Sequence, residues 1–488
     1  MKTLARSGLA LLGLVLVVAA VVAYRTVTYQ APGAIDFSKI AIAEGPAIDV
    51  GRAAEHVAEA VRIKTISHQD PREDDAREWE RLHVWLQSTY PAAHAAMTRE
   101  LVADRGLLYT WSGTDPSLEP VVLMAHQDVV PVDEGTEKDW KHPPFDGIVA
   151  DGAVWGRGAF DDKGSLVCLF EAADALASSG FRPRRTVIII SGHDEEVGGT
   201  GVRAAAALLK SRHTTAAFSL DEGMCVLTGI LSRPVALIGV AEKGYATLKV
   251  TAPATGGHSS APPPETGVEV LAKAVLAITG RPFPMRFSGP VADMTRALAP
   301  AAGTVATMAV ANEWLFTPLL VRVIASDAAG AASLHTTIAP TMLRGSAKDN
   351  VLPQQATAWI NYRIAPGDTM QDVMERAKAA TSGLRVTLAW DGQANDPPPA
   401  SSTDSDGYRL IAALASDGGR LPVAPSLTPA TSDSRWLVGV ARYVYRFWPI
   451  VIAPQDLEMV HGTNERITLD NLKRMTTFYT RLIATAAR

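Results

Sequence analysis

Cysteine is nearly absent from this chain: Cys168 and Cys225 are the only two in 488 residues. One sits in an apolar helical stretch and the other in a glycine-flanked loop, so no disulfide framework holds the fold. A chain that is 47% hydrophobic builds a core large enough to need none, in either redox compartment. Excess charge is also missing. With 46 basic and 51 acidic residues the net charge is −5, and nothing points to nucleic acid. Internal repeats are absent, and low-complexity sequence is confined to short Ala-rich and Pro-rich runs. What remains is a globular chain long enough for more than one domain.

One long apolar run is present, at the N-terminus. Lys2 and Arg6 precede an uncharged stretch from Ser7 to Tyr24, dominated by Leu, Val and Ala. It is longer than a usual signal-peptide core and close to the lower limit for a membrane span. Val21, Val22 and Ala23 form a tolerable cleavage site, so residues 1–30 read as a signal peptide or a membrane anchor. A buried core helix is the blander reading; an extreme terminus flanked by Arg25 and a polar linker disfavours it. The basic residues favour the N-terminus inside. The rest is then extracytoplasmic, either membrane-anchored or secreted and periplasmic.

Acids and histidines are concentrated after short apolar runs. Residues 121–125, 186–190 and 216–220 read as strands buried on both faces. His126 and Asp128 follow the first, Asp194, Glu195 and Glu196 the second, and Asp221 and Glu222 the third. Gly156, Arg157 and Gly158 lead to Asp161, Asp162 and Lys163, and His461 lies far downstream. Taken singly, each is a solvated pair, a turn or an acid-rich helix start. Together, at the carboxyl ends of strands where open α/β sheets bind ligands, they supply one site. Two imidazoles, several carboxylates and one spare carboxylate suit a pair of divalent cations and a base. Zinc fits these donors best, with cobalt or manganese accepted.

Amphipathic helices are expected at 50–66 and 75–88, and the alternation that follows predicts a mostly parallel sheet covered by helices on both faces. Past Glu242, Lys243 and Gly244 the pattern changes. Residues 245–251 alternate as a half-exposed antiparallel strand, followed by a helix at 267–279. Strands at 336–344, 356–364 and 384–390 and a helix at 369–380 complete a small inserted α+β lid. Residues 281–334, rich in Pro and Ala, interrupt it with no legible shape. The expected organisation is 1–30 leader, 31–241 and 396–488 catalytic, and 242–395 lid.

The order His-x-Asp, Gly-Arg-Gly-x-x-Asp-x-Lys-Gly, Asp-Glu-Glu, Asp-Glu-Gly, Gly-Gly-His-Ser and a late His-Gly resembles a family of dinuclear zinc metallopeptidases. That family includes acetylornithine deacetylase, succinyl-diaminopimelate desuccinylase, aminoacylase and carboxypeptidase S. The tail from Tyr445 to Ile467 is similar to the carboxypeptidase S and N-fatty-acyl-amino-acid hydrolase branch. The resemblance implies a ferredoxin-like lid, Asp161 bridging two metals, His126 and Asp221 on one, and Glu196 and His461 on the other. It makes Glu195 the general base on the bridging water and Asp128 the support of the His126 ring. His258 would stabilise the oxyanion, often across a dimer. Asn350, Arg363 and Arg435 would hold a substrate carboxylate, to which a guanidinium fork is suited. The implied activity is hydrolysis of an amide beside a free carboxylate, in N-acyl amino acids or short peptides. A deacetylase or desuccinylase of amino-acid intermediates is the rival enzyme, and an inactive peptide-binding protein the rival from another class. A homodimer through the lid-sheet edge is expected unless the 281–334 insertion covers that edge.

Overall fold

The computed structural model describes residues 2–488, with the backbone alone at 2–5 and 8. Met1 and the Lys2 side chain, whose charge entered the orientation argument, lie outside the described residues. The chain divides into two units. One comprises 33–240, 401–428 and 432–488; the other comprises 2–32, 241–400 and 429–431.

The first unit is built on a mixed, mostly parallel sheet. Its centre is β1 (Val121–Met124), β2 (Val187–Ser191) and β3 (Phe218–Asp221), with β1 between the other two and parallel to both. Alternate residues leave on opposite sides. Val121, Leu123, Val187 and Ile189 join one core, while Val122, Met124, Ile188 and Ile190 join another. The apolar runs are therefore unbroken because both faces are covered, and each buried side chain contributes roughly 1.5–3 kcal/mol. Antiparallel strands extend the sheet on both sides, among them Gly106–Trp111 beside β2 and Val235–Glu242 beyond Val444–Arg446.

The first helix is shorter than its periodicity suggests. Asp49 caps it through Gly51 N at 2.9 Å, and it runs Val50–Val61, not to 66. Residues 62–66 leave the helix because their polar groups bind the β1 exit loop. Thr65 Oγ1 donates to Gln127 O at 2.6 Å, and Ile66 bridges to Val129. The buried ammonium of Lys163, brought by burial down to about 7, caps the same turn at Ala60 O and Ile63 O.

The second unit begins with α1 (Lys2–Val27) and carries a four-stranded antiparallel sheet. That sheet comprises β4 (Gly244–Pro253), β5 (Thr337–Arg344), β6 (Gln355–Ile364) and β7 (Thr387–Asn395), in the order β5-β6-β4-β7. Helices Gly267–Thr279 and Met370–Ala380 start at Thr266 and Thr369, each with a reciprocal capping box to Glu269 or Asp372. Both share one core with Ala246, Leu248, Val250, Ala358 and Ile360. The insertion without a legible pattern is helical: α2 (Gly289–Ala302), α3 (Thr304–Ala311), α4 (Glu313–Ile324) and a short Ala328–Ser333 turn. It leaves β5 open, since Ala339 to Arg344 are exposed.

Candidate metal centre

The parallel register brings the loops after β1, β2 and β3 to one edge of the first unit. His126 Nε2 lies 2.9 Å from Asp161 Oδ1. The other oxygen, Asp161 Oδ2, lies 3.3 Å from His461 Nε2, which is 3.0 Å from Glu196 Oε2. One carboxylate thus stands between two imidazoles, with one oxygen turned to each. Burial alone would push the Asp161 carboxyl up, but the two rings hold it well below the carboxylate range. Asp161 and Glu196 in turn push His461 up to about 10. Burial pushes Glu196 up to about 6.

The third strand end delivers Glu222 as well as Asp221. Glu222 Oε1 is 3.8 Å from His126 Nε2. Asp221 lines the same cavity as His126; its Oδ2 accepts Ser434 N at 2.9 Å, and it pairs in register with Arg446 on the neighbouring strand. Two overlapping groups could hold a cation: His126, Asp161 and Glu196, and His126, Asp162 and Glu222. Burial first, and crowding by other acids next, push Glu195 and Glu222 far above the usual range. Acids packed this closely repel one another unless cations are supplied. Imidazole and carboxylate donors of this kind fit zinc, cobalt or manganese.

Supports for these groups are built into the same loops. Asp128 lies 3.4 Å from His126 Nδ1. Its oxygens also accept Ser67 Oγ at 2.6 Å, Glu195 N at 3.1 Å and Glu196 N at 3.2 Å. One buried carboxylate thereby fixes the ring and the turn that carries both glutamates. Asp162 accepts His126 N and Trp448 Nε1, each at 3.2 Å. Asp194 caps the next helix through Thr200 N at 2.8 Å and Gly201 N at 2.9 Å. Arg435 donates to Ser432 O at 2.7 Å and Gly198 O at 3.2 Å, so it ties its own loop to the Glu195 turn.

Three residues escaped assignment from sequence. Glu222 was hidden behind its neighbour, because adjacent acids at a strand end differ only in the face they take. Glu465 accepts Gly158 N, Phe160 N and Asp161 N at 2.8–3.0 Å and pairs with Arg157 Nη1 at 2.6 Å. Its spacing of four after His461 was the available signal. Asp433 is buried among Gly192, Glu195 and Gly199; a Cβ on Gly199, where φ is +68°, would stand 1.7 Å from its Oδ1. The glycines of residues 198–199 make that approach possible.

His258, Asn350 and Arg363 belong to the second unit. His258 pairs with Val351 in a two-stranded ribbon, and Ser259 N donates to Asn350 O at 3.1 Å, so these two are neighbours. Arg363 is separate, on β6, with its guanidinium 4.8 Å from the centre of the Tyr245 ring.

The sequence of residues 122–485 matches Peptidase family M20/M25/M40. The chain belongs to this family. Relatives of this M20 peptidase include probable carboxypeptidase S-like 2 of Dictyostelium discoideum, 35% identical over 88% of this chain and 84% of the relative. The N-fatty-acyl-amino acid synthase/hydrolase PM20D1 of Homo sapiens is 36% identical over 88% and 86%. Carboxypeptidase S of Saccharomyces cerevisiae is 30% identical over 85% and 80%. An M20 metallo-carboxypeptidase from Sulfolobus solfataricus shares the fold, with a TM-score of 0.65 at 16% identity over 88% of this chain and 98% of that one. Human carnosine dipeptidase 1 does so with a TM-score of 0.62 at 14% identity, over 90% and 96%.

Proposed function

We propose that this M20 peptidase hydrolyses an amide beside a free carboxylate, in N-acyl amino acids or at the C-terminal residue of short peptides. The observation that carries the reading is Asp161, its two oxygens divided between His126 and His461. His126, Asp161, Glu196 and His461 would hold two divalent cations, zinc before cobalt or manganese, with Glu222 completing the set in place of Asp221. Cations there would acidify a water and polarise the scissile carbonyl. Glu195 belongs to neither ligand group, and its carboxylate would take the proton of the attacking water and pass it to the leaving amine. Asp128 would keep His126 and the Glu195 turn in place. His258 would donate to the developing oxyanion. Asn350, Arg363 and Arg435 would receive the substrate carboxylate.

Relatives named as N-fatty-acyl-amino acid hydrolases and as carboxypeptidases support both substrate classes. Turnover of a panel of N-acyl amino acids and dipeptides, with metal content measured on the same sample, decides between them. Hydrolysis of N-acetyl amino-acid intermediates alone would favour the deacetylase reading. No turnover at full metal occupancy would favour a binding protein.

A further inference from the structure

The second unit contains a feature that catalysis leaves unexplained: the helical insertion packs against the N-terminal helix. The apolar span Leu9–Val27 has none of its length buried and is long enough to cross a membrane. Yet Val18, Val22, Thr26 and Tyr29 are half-buried, a stripe at helical spacing down one side. Helix α3 packs along α1 and covers that side. Asn312 Nδ2 donates to Val22 O at 3.3 Å, Arg25 Nε to Ala311 O at 2.8 Å, and Tyr29 Oη to Arg296 O at 3.0 Å.

This packing fixes a depth. At 1.5 Å per residue, Leu9–Val27 is about 28 Å long, nearly the full hydrocarbon thickness of about 30 Å. If lipid stopped at Val18 to leave α3 in water, the remainder would be about 14 Å, too short to cross. A span that crosses therefore carries α3 into the leaflet occupied by Val18 to Thr26. The composition of the hairpin suits that place. No charge occurs from Ala297 to Asn312, across the end of α2, the Gly303 turn and all of α3. Charges begin at its base, where Arg296 meets Glu313 through two contacts of 2.7 and 2.8 Å. Val305, beside the turn, is 76% exposed. Beyond the base, α4 turns Trp314, Leu315, Leu319 and Val323 outward with Arg322 among them. An apolar face with an aromatic and a basic residue at the polar boundary is the pattern of a helix lying on a bilayer.

We propose that residues 289–324 form a membrane-dipping element. The uncleaved α1 crosses the bilayer, the α2–α3 hairpin enters the leaflet on the side of the folded chain, and α4 lies along its surface. The arrangement rests on the second unit alone and stands whatever substrate the metal centre takes. It would hold the chain where lipophilic acyl substrates partition.

The full chain in phosphatidylcholine vesicles tests this. Cys168 and Cys225 are buried, so Val305→Cys, Leu319→Cys and Val84→Cys each accept one environment-sensitive fluorophore. Val84 is an exposed control on the first unit. The expected result is a blue-shifted probe at 305 and 319, quenched by spin-labelled lipid severalfold more than at 84. Labels deep in the acyl chain should act more on 305, and shallow labels more on 319. Quenching at 305 no greater than at 84 would overturn the proposal. A blue shift without lipid quenching would also do so, by showing a second copy on that face. A mature mass lacking the α1 residues would overturn it too, because the helix that sets the depth would be gone.

Discussion

Glu195 and Glu196 are adjacent, but only Glu196 lies against His461, whereas Glu195 faces the buried Asp433. Glu195→Gln should therefore keep its metal and lose at least the ~10²–10⁴-fold expected of a general base. Activity within a few-fold of wild type, with metal content intact, would remove Glu195 from that role. Asp161→Ala should lose both ions, while His461→Ala mainly weakens one; metal analysis of the two proteins separates them. A sharper comparison lies in the Asp-Glu pair. Glu222→Ala should lower occupancy, and Asp221→Asn, which disturbs the bond from Ser434 N, should lower thermal stability with occupancy largely kept. The reverse pattern would return Asp221 to the ligand set.

Loops, more than strands, hold the centre. The segment from Gly156 to Asp161 carries the shared carboxylate, and Glu465 fixes it with three backbone N–H groups and Arg157. Glu465→Ala leaves a buried guanidinium unpaired, a change that typically costs about 3–5 kcal/mol. The expected outcome is a clear drop in melting temperature together with reduced metal occupancy; an unchanged melt would show that the loop holds itself. In the lid, the His258 ribbon is exposed and short. His258→Ala should keep both metals while turnover falls by roughly the ~10²–10³ of a lost oxyanion donor. Mixing that variant with Glu195→Gln asks whether the histidine acts across subunits. Recovered turnover would say that it does.

For the whole chain, oligomeric state turns on β5. This edge strand is open, with Met342 54% and Leu343 70% exposed, and the insertion that threatened to cover it does not. Unpaired edges of this kind invite pairing across a two-fold axis. The full chain in detergent should be a dimer by light scattering, and Met342→Lys with Leu343→Lys should give a monomer. A wild-type monomer would leave each site self-contained. Anchoring belongs to the same scale: Leu9–Val27 is unburied and apolar, whereas its partner α3 was unreadable in an Ala-rich tract with no strong periodicity.

Local sequence determined what local chemistry can determine. Buried strands are unbroken apolar runs, the lid helices expected at 267–279 and 369–380 form at Gly267–Thr279 and Met370–Ala380, and the candidate donors His126, Glu196 and Asp221 lie at strand ends. Tertiary structure decided the rest, because those outcomes depend on partners distant in the chain. Ser67 and Thr65 stop the first helix early by binding the His126 loop. Ser434 N takes one oxygen of Asp221, and Glu222 comes within 3.8 Å of His126. Glu465 becomes a support only when Asp161, over three hundred residues earlier, folds onto it. A residue's type fixes what bonds it can make, but the packing of the other elements decides which of them it makes.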